Sequence, residues 1–243
     1  MPEAVRPRSQ AEEAYLLLRS EILACRITPD EKILINEICE RFEFSSGSVR
    51  EALSRLSAEG LVVAEPQKGF RASPISVEDL RDLTRARAQI EAICLSEAID
   101  HGDVAWEGRV LAAHHKLSRT KMLSDCEPPE LRDEWSLAHA DFHQALAEGC
   151  CSRWMLRIRS MLYEQSERYR RLSVPLDEAG RDVAAEHKAI CDAAIGRDKE
   201  TAARLIKEHI ERTTDIILRG VQSNLPLQDQ LRISAPEQIQ VTR

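Results

Sequence analysis

Apolar residues recur at helical intervals along most of the chain. Over residues 11–25, Ala14, Leu17, Leu18, Ile22 and Leu23 fall on one helical face, and Thr28-Pro29-Asp30 stops the run. A short helix fits 36–42. The stretch Phe44-Ser45-Ser46-Gly47-Ser48 is a turn with N-cap chemistry, and Ser48 stands three residues before Glu51. A third helix follows, with Val49, Ala52, Leu53 and Leu56 on one face, and Glu59-Gly60 closes it. The period then changes. Residues 61–64 and 70–72 predict two short strands around the turn Gln67-Lys68-Gly69. From Ser76 onward the pattern is helical again, over 76–100, 106–123, 131–148, 153–172, 177–195 and 198–220. The breaks between them are His101-Gly102-Asp103, Glu127-Pro128-Pro129, Ser173-Val174-Pro175 and Gly196-Arg197.

The fold expected is therefore mainly α. A loose arm spans 1–10, a winged helix-turn-helix 11–74, an antiparallel six-helix bundle 75–220 and a frayed tail 221–243. Composition supports this. Aromatics make up 4% of the chain, which with 9 Gly and 10 Pro argues against a many-stranded β fold. No run of about 18 apolar residues predicts a membrane span. Seven scattered cysteines without a CxxC pair suit reduced thiols and a cytoplasmic setting. The formal charge of −7 excludes a protein coated in positive charge but not a local basic surface.

A helix that reads DNA must offer small polar and basic groups at its N-terminal end. Ser45, Ser46, Gly47 and Ser48 precede Arg50 here, with Asn36 at the start of the preceding helix. Arg55 follows one turn on, and Lys68-Gly69 at the hairpin tip can lie along the DNA backbone. Segment 41–71 holds five basic residues against four acidic ones, a weak field that dimerisation would double. Ordinary helix capping with a solvated Arg is the competing account. Separately, His139 and His143 stand at i, i+4 and share a helix face. His187 and His209 lie 22 residues apart, with Gly196 near the midpoint, so an antiparallel helix pair brings them level. Imidazoles are ligands for Zn, Ni or Cu, and solvated or core histidines are the alternative. A zinc peptidase is disfavoured, because Ala140 and not Glu follows His139.

The run Gly47-Ser48-Val49-Arg50-Glu51-Ala52-Leu53-Ser54-Arg55-Leu56, continued by Glu59-Gly60-Leu61-Val62 and Gly69-Phe70-Arg71, resembles the DNA-binding domain of GntR-family bacterial transcription regulators. Downstream, Asp79-Leu80, Arg87, Glu91, Phe142-His143, Glu186-His187, Arg197-Asp198 and His209-Ile210 resemble the FCD ligand-binding domain of the FadR-type subgroup. Gly102-Asp103-x-x-Trp106-Glu107 and Gln165-x-x-Arg168-Tyr169-Arg170 resemble members that answer to small carboxylic acids. The resemblance implies a homodimer on an inverted-repeat operator and no enzymatic activity. It implies a divalent metal on His143, His187 and His209, with His139 where that family carries Asp or Asn. An all-nitrogen set favours Zn or Ni. Arg87 is the candidate for gripping the acid, with pairing to Glu91 as the alternative. A metal-only sensor is the second functional reading. Two departures stand out: Ser46 replaces a common base-reading Arg, and Asp30 occupies a turn position where Gly is common.

Overall fold

The computed structural model describes residues 9–126, 130–176 and 180–222. The chain divides into two compact units between Val77 and Glu78. The first holds α1 (Gln10–Leu23), β1 (Lys32–Ile33), α2 (Ile35–Phe42), α3 (Ser46–Ala58), β2 (Val62–Glu65) and β3 (Gly69–Ala72). Its apolar stripes meet in one core of Ala14, Leu18, Ile22, Val49, Leu53 and Leu56, closed by Ile33, Leu61 and Val62. The sheet is antiparallel in the order β1-β3-β2. Strand β1 was not expected. Two residues carry no alternation signal, and the strand exists because Lys32 and Ile33 pair with Arg71 and Phe70. Asp30 takes the left-handed φ of 65° that its turn requires. Its N–H donates to the Ala72 carbonyl, so the replacement of Gly is tolerated there.

Two boundaries are corrected. Ser9 and Gln10 belong to the domain and not to a loose arm: the Ser9 hydroxyl accepts from Glu12 N–H, and Gln10 begins α1. The expected arm over 1–8 and tail over 223–243 lie outside the described residues, as does the break at 127–129. Helix α3 begins at Ser46, with Ser45 as its cap, three residues before the expected capping box.

The second unit holds α4 (Val77–His101), α5 (Val104–Arg119), α6 (Asp133–Ala147), α7 (Arg153–Ser173), α8 (Val183–Ile195) and α9 (Lys199–Gln222). Helix α5 is shorter than its pattern predicted. Residues 120–123 leave the helix, and Leu123 bridges to Leu131. Helix α8 starts later, where Asp182 accepts from Ala185 N–H. Leu95, Trp106, Phe142, Ile190 and Ile206 centre its core. Trp106 is buried and donates from its indole to the Ala145 carbonyl at 2.9 Å. A methyl group on Gly102 would overlap the Trp106 ring and stand 2.6 Å from the Ala98 carbonyl oxygen. Gly102→Ala should therefore cost about 1–3 kcal/mol through overpacking. Denaturant unfolding measures this, and an unchanged midpoint would count against the contact.

Candidate nucleic-acid interface and metal centre

At the start of α3 the local sequence decides which groups face outward. The Ser45 hydroxyl accepts from Ser48 N–H at 3.2 Å and donates to the Ser48 hydroxyl. Ser48 in turn donates to Gln10 Oε1, which also accepts from Ser45 N–H at 3.1 Å. Ser45 and Ser48 are thus occupied in holding the turn. Gln10, which no local motif marks, ties α1 to it. Ser46 and Gly47 are exposed, and their N–H groups stand in the first helical turn, where no intrahelical acceptor exists. Arg50 is exposed on the outer face of α3, and Asn36 is exposed near the start of α2. Lys68 and Gly69 form the exposed tip between β2 and β3, with Gly69 at φ 99°.

Arg55 is placed differently from expectation. Its guanidinium pairs with Glu12 at 2.6 Å and lies 3.9 Å from the Tyr15 ring centre. Arg71 likewise pairs with Asp30 and Glu65. Among the described basic residues of 41–71, Arg41, Arg50 and Lys68 are left without ion pairs. Arg41 did not stand out in the sequence because no motif surrounds it.

In the second unit all four candidate histidines converge. His139 and His143 project from α6, His187 from α8 and His209 from α9. One ring nitrogen from each lies within 4.8 Å of the others. An ion with bonds of about 2.1 Å would draw such nitrogens to within about 4 Å. All four side chains are buried. His143 Nε2 is 3.1 Å from His139 Nε2. His143 Nδ1 and His187 Nε2 have no hydrogen-bond partner. Buried polar atoms without partners are uncommon, so the donor set fits a cation better than a filled core.

The surroundings orient these rings. Tyr163 on α7 contacts His139 Nδ1 at 2.8 Å. Glu186 Oε2 accepts from His209 Nδ1 at 2.8 Å, which leaves His209 Nε2 for the cluster. Glu186 also receives Arg181 and Arg212. Burial opposes its charge, yet hydrogen bonds from Arg181, His209 and Arg212 hold its carboxyl far below the usual carboxylate range. Burial pushes His139, His143 and His187 well below the ordinary imidazole value, and His209 down to about 4. All four are neutral at pH 7, the form that binds metal.

Cations without full partners line the cluster. Arg87 on α4 is buried, 3.5 Å from Glu91 Oε1, and its Nε has no hydrogen-bond partner. The Glu91 alternative is therefore present as a weak contact only, because Glu91 makes its 2.8 Å bond to Arg159. Arg170 pairs with Glu167, but its Nη1 is also unpartnered. The sequence marks Arg170 only as part of the resemblance over 165–170, without a role, and no motif marks Arg159 or Tyr163. Together with Ser166 they stand at i, i+4, i+7 and i+11 on α7, while Trp154, Ile158 and Met161 on the same helix are exposed. That inverted amphipathic pattern was the available signal. His101 and His115 are exposed and His114 is partly buried outside the cluster. Asp141 pairs with Lys116 on the outer face of α6.

Comparison with known proteins agrees with both units. Residues 10–71 match the bacterial regulatory proteins of the gntR family, and residues 82–212 match the FCD domain. An uncharacterized HTH-type transcriptional regulator, BphR of Paraburkholderia xenovorans, is 38% identical, covering 86% of each chain. The Escherichia coli HTH-type transcriptional repressor GlaR is 36% identical over 87% of this chain and 97% of that protein. Escherichia coli McbR/YncC shares the fold, with a TM-score of 0.70 at 16% identity, over 90% of this chain and all of that one. The chain belongs to the GntR family, in the branch whose C-terminal unit is an FCD domain, and is a DNA-binding transcriptional regulator.

Proposed function

We propose that this regulator grips its operator or releases it according to a small carboxylic acid bound beside a divalent metal in the helical unit. The observation that carries this reading is the meeting of four buried imidazoles with the unpartnered donors of Arg87 and Arg170. His139, His143, His187 and His209 would hold the metal, with Zn or Ni favoured by nitrogen donors. The metal would supply one coordination position for a carboxylate oxygen. Arg87 Nε and Arg170 Nη1 would donate to the acid, restoring the bonds that burial denies them. Helix α4, which carries Arg87, begins five residues after β3 ends, so a shift of α4 has a short covalent path to the wing. The acid must bind the two states of the protein unequally, and a coupling of about 1–3 kcal/mol would alter operator affinity about 5–150-fold. The Escherichia coli relative is a repressor, and repression in the cytoplasm is the sense we adopt.

Gel-shift titration is the test, first with a chelator and then with organic acids added to metal-loaded protein. Arg87→Ala should keep operator binding but lose the response to acid. The same experiment addresses a second reading, metal sensing without an acid. The cavity beside the cluster, of only about 20 Å³, favours that reading. Operator release on metal removal alone, with no effect of any acid, would establish it.

For the DNA face, Ser46, Gly47, Arg50, Lys68 and Gly69 are the contacts we assign, with Asn36 beside them. Arg50→Ala should weaken operator binding about 5–150-fold if Arg50 reads a base. If it holds a phosphate, the loss should be uniform across sequences and the salt slope should fall by about one. Unchanged affinity removes Arg50 from the interface.

The working form we propose is a homodimer on an inverted repeat, with two α3 helices about one DNA turn apart. Trp154, Ile158 and Met161, at 71%, 37% and 53% exposure, give α7 an apolar row for a second copy to cover. Sedimentation should report twice the 27.5 kDa chain mass, reverting to one in Trp154→Glu. A wild-type monomer that binds operator with full affinity contradicts this.

A further inference from the structure

The cavity beside the histidines is too small for the acid assigned to it. It is lined by Arg87, His139, Arg170 and His209, and its volume of about 20 Å³ admits about one water. Outside it, α4 and α9 border a cleft of about 460 Å³, within the range of small-molecule sites. Two residues line both spaces, Thr84 of α4 and Thr214 of α9. Their hydroxyl oxygens are 2.6 Å apart and hydrogen-bonded.

We propose that the α4–α9 cleft is the entrance by which a small anion reaches the histidine cluster, and that the Thr84–Thr214 hydroxyl pair is its gate. The proposal rests on the ligand reading above and supplies the space that reading lacks. Parting the two hydroxyls joins the cleft to the inner cavity. The movement is small, because a helical Thr uses two χ1 rotamers, and in one of them Oγ1 can bond a carbonyl of its own preceding turn. Each hydroxyl can therefore leave the other without losing its hydrogen bond. Other walls of the cluster are packed with rings: Trp135 stacks on His139, and Phe142 meets His143 and His187 edge-on. The pull on an anion comes from within. Arg81, Arg85 and Lys207 line the cleft, but Glu211 and Asp215 on the α9 side and Asp82, which pairs with Arg85, balance those three charges. Arg87 and Arg170 lie deeper, beside the histidines, each with a donor that has no partner. Once the pair has parted, both hydroxyls face the enlarged space and can bond a polar ligand there.

The test uses the full chain, treated with a chelator so that no metal blocks the ring nitrogens, and the probe diethylpyrocarbonate, which acylates unprotonated imidazoles, with each site read by peptide mass. In Thr84→Cys/Thr214→Cys the two sulfurs replace oxygens 2.6 Å apart, close to a disulfide length of about 2.05 Å. Oxidising that pair should slow acylation of His139 and His209 at least tenfold relative to the same protein reduced. Exposed His101 should react equally in both forms. Thr84→Ala/Thr214→Ala should speed the two buried sites severalfold over wild type. Equal rates with and without the cross-link would overturn the gate. If the cross-link does not form, unchanged rates in the alanine pair would overturn it instead. Metal content, measured separately, distinguishes the failures: gated acylation in a protein that takes up no Zn²⁺ leaves the entrance standing and removes the metal reading.

Discussion

His187→Ala should strip the helical unit of its metal and lower metal affinity by on the order of 100-fold or more, while His101→Ala changes nothing. Loss of a second-sphere partner typically weakens a metal site about 10–100-fold, so loss of a ligand sets a higher floor. His187 Nε2 is buried without a protein partner, so its removal opens the set and disturbs no existing hydrogen bond at that atom. Stability should follow. At a metal concentration 1,000 times Kd, binding adds about 4 kcal/mol, and the variant should forgo most of it. The pH dependence has a definite sign. Burial lowers all four imidazoles, His209 to about 4 from 6.5. Between those values the unfolded chain holds more protons than the folded one, so stability is present above about pH 6.5 and is lost as pH falls towards 4. For His209 alone the full shift corresponds to about 3 kcal/mol. Metal sharpens this fall, because ligation requires unprotonated nitrogen. Elemental analysis of wild type and His187→Ala, with melting followed from pH 7.5 to 5, measures both effects. Wild type purified without chelator or affinity tag yet free of metal, in a cell supplied with Zn and Ni, would sink the site.

The histidine cluster was legible because its geometry is set by helix period and one turn. His139 and His143 are one turn apart, and the Gly196-Arg197 reversal makes His187 and His209 level, with ring centres 4.7 Å apart. The reversal itself was read only in part. Gly196 keeps a right-handed φ, and the left-handed value of 58° falls on Arg197, held by Glu107 and the Ile99 carbonyl. The residues that orient the histidines were not legible. Glu186 precedes His187 in the chain, yet its carboxylate meets His209 across the helix pair, a relation only packing creates. The same holds for Ser45 and Gln10: the serine run announced a cap, but which serine caps depends on an α1 side chain 35 residues away. Strand β1 had no readable signal, since it exists through pairing with β3.

Glu91→Ala should be among the most destabilising single changes in the helical unit, at about 3–5 kcal/mol. Glu91 is 3% exposed and stands between two buried guanidinium groups, 2.8 Å from Arg159 Nε and 3.5 Å from Arg87 Nε. Both cations also lie over the Tyr163 ring, at 4.7 Å and 5.4 Å from its centre, which stabilises them only in part. Removing the carboxylate leaves two positive charges out of water without a counter-charge, the costly case among buried ion pairs. Against a usual total of about 5–15 kcal/mol, that is a large fraction. Arg87→Ala should behave oppositely. Burial lowers the Arg87 pKa, so its charge is held against a desolvation cost, and its deletion removes an unpartnered donor. Its stability loss should stay near 1 kcal/mol, while the acid response disappears. Adding an organic acid that binds should raise the melting temperature of Glu91→Ala more than that of wild type, because the ligand's charge substitutes for the missing carboxylate. Chemical denaturation of both variants, with and without the acid, measures these effects. A Glu91→Ala loss under 1 kcal/mol would mean that water already solvates Arg87 and Arg159, and the case for Arg87 as a buried partner of the acid would fall with it.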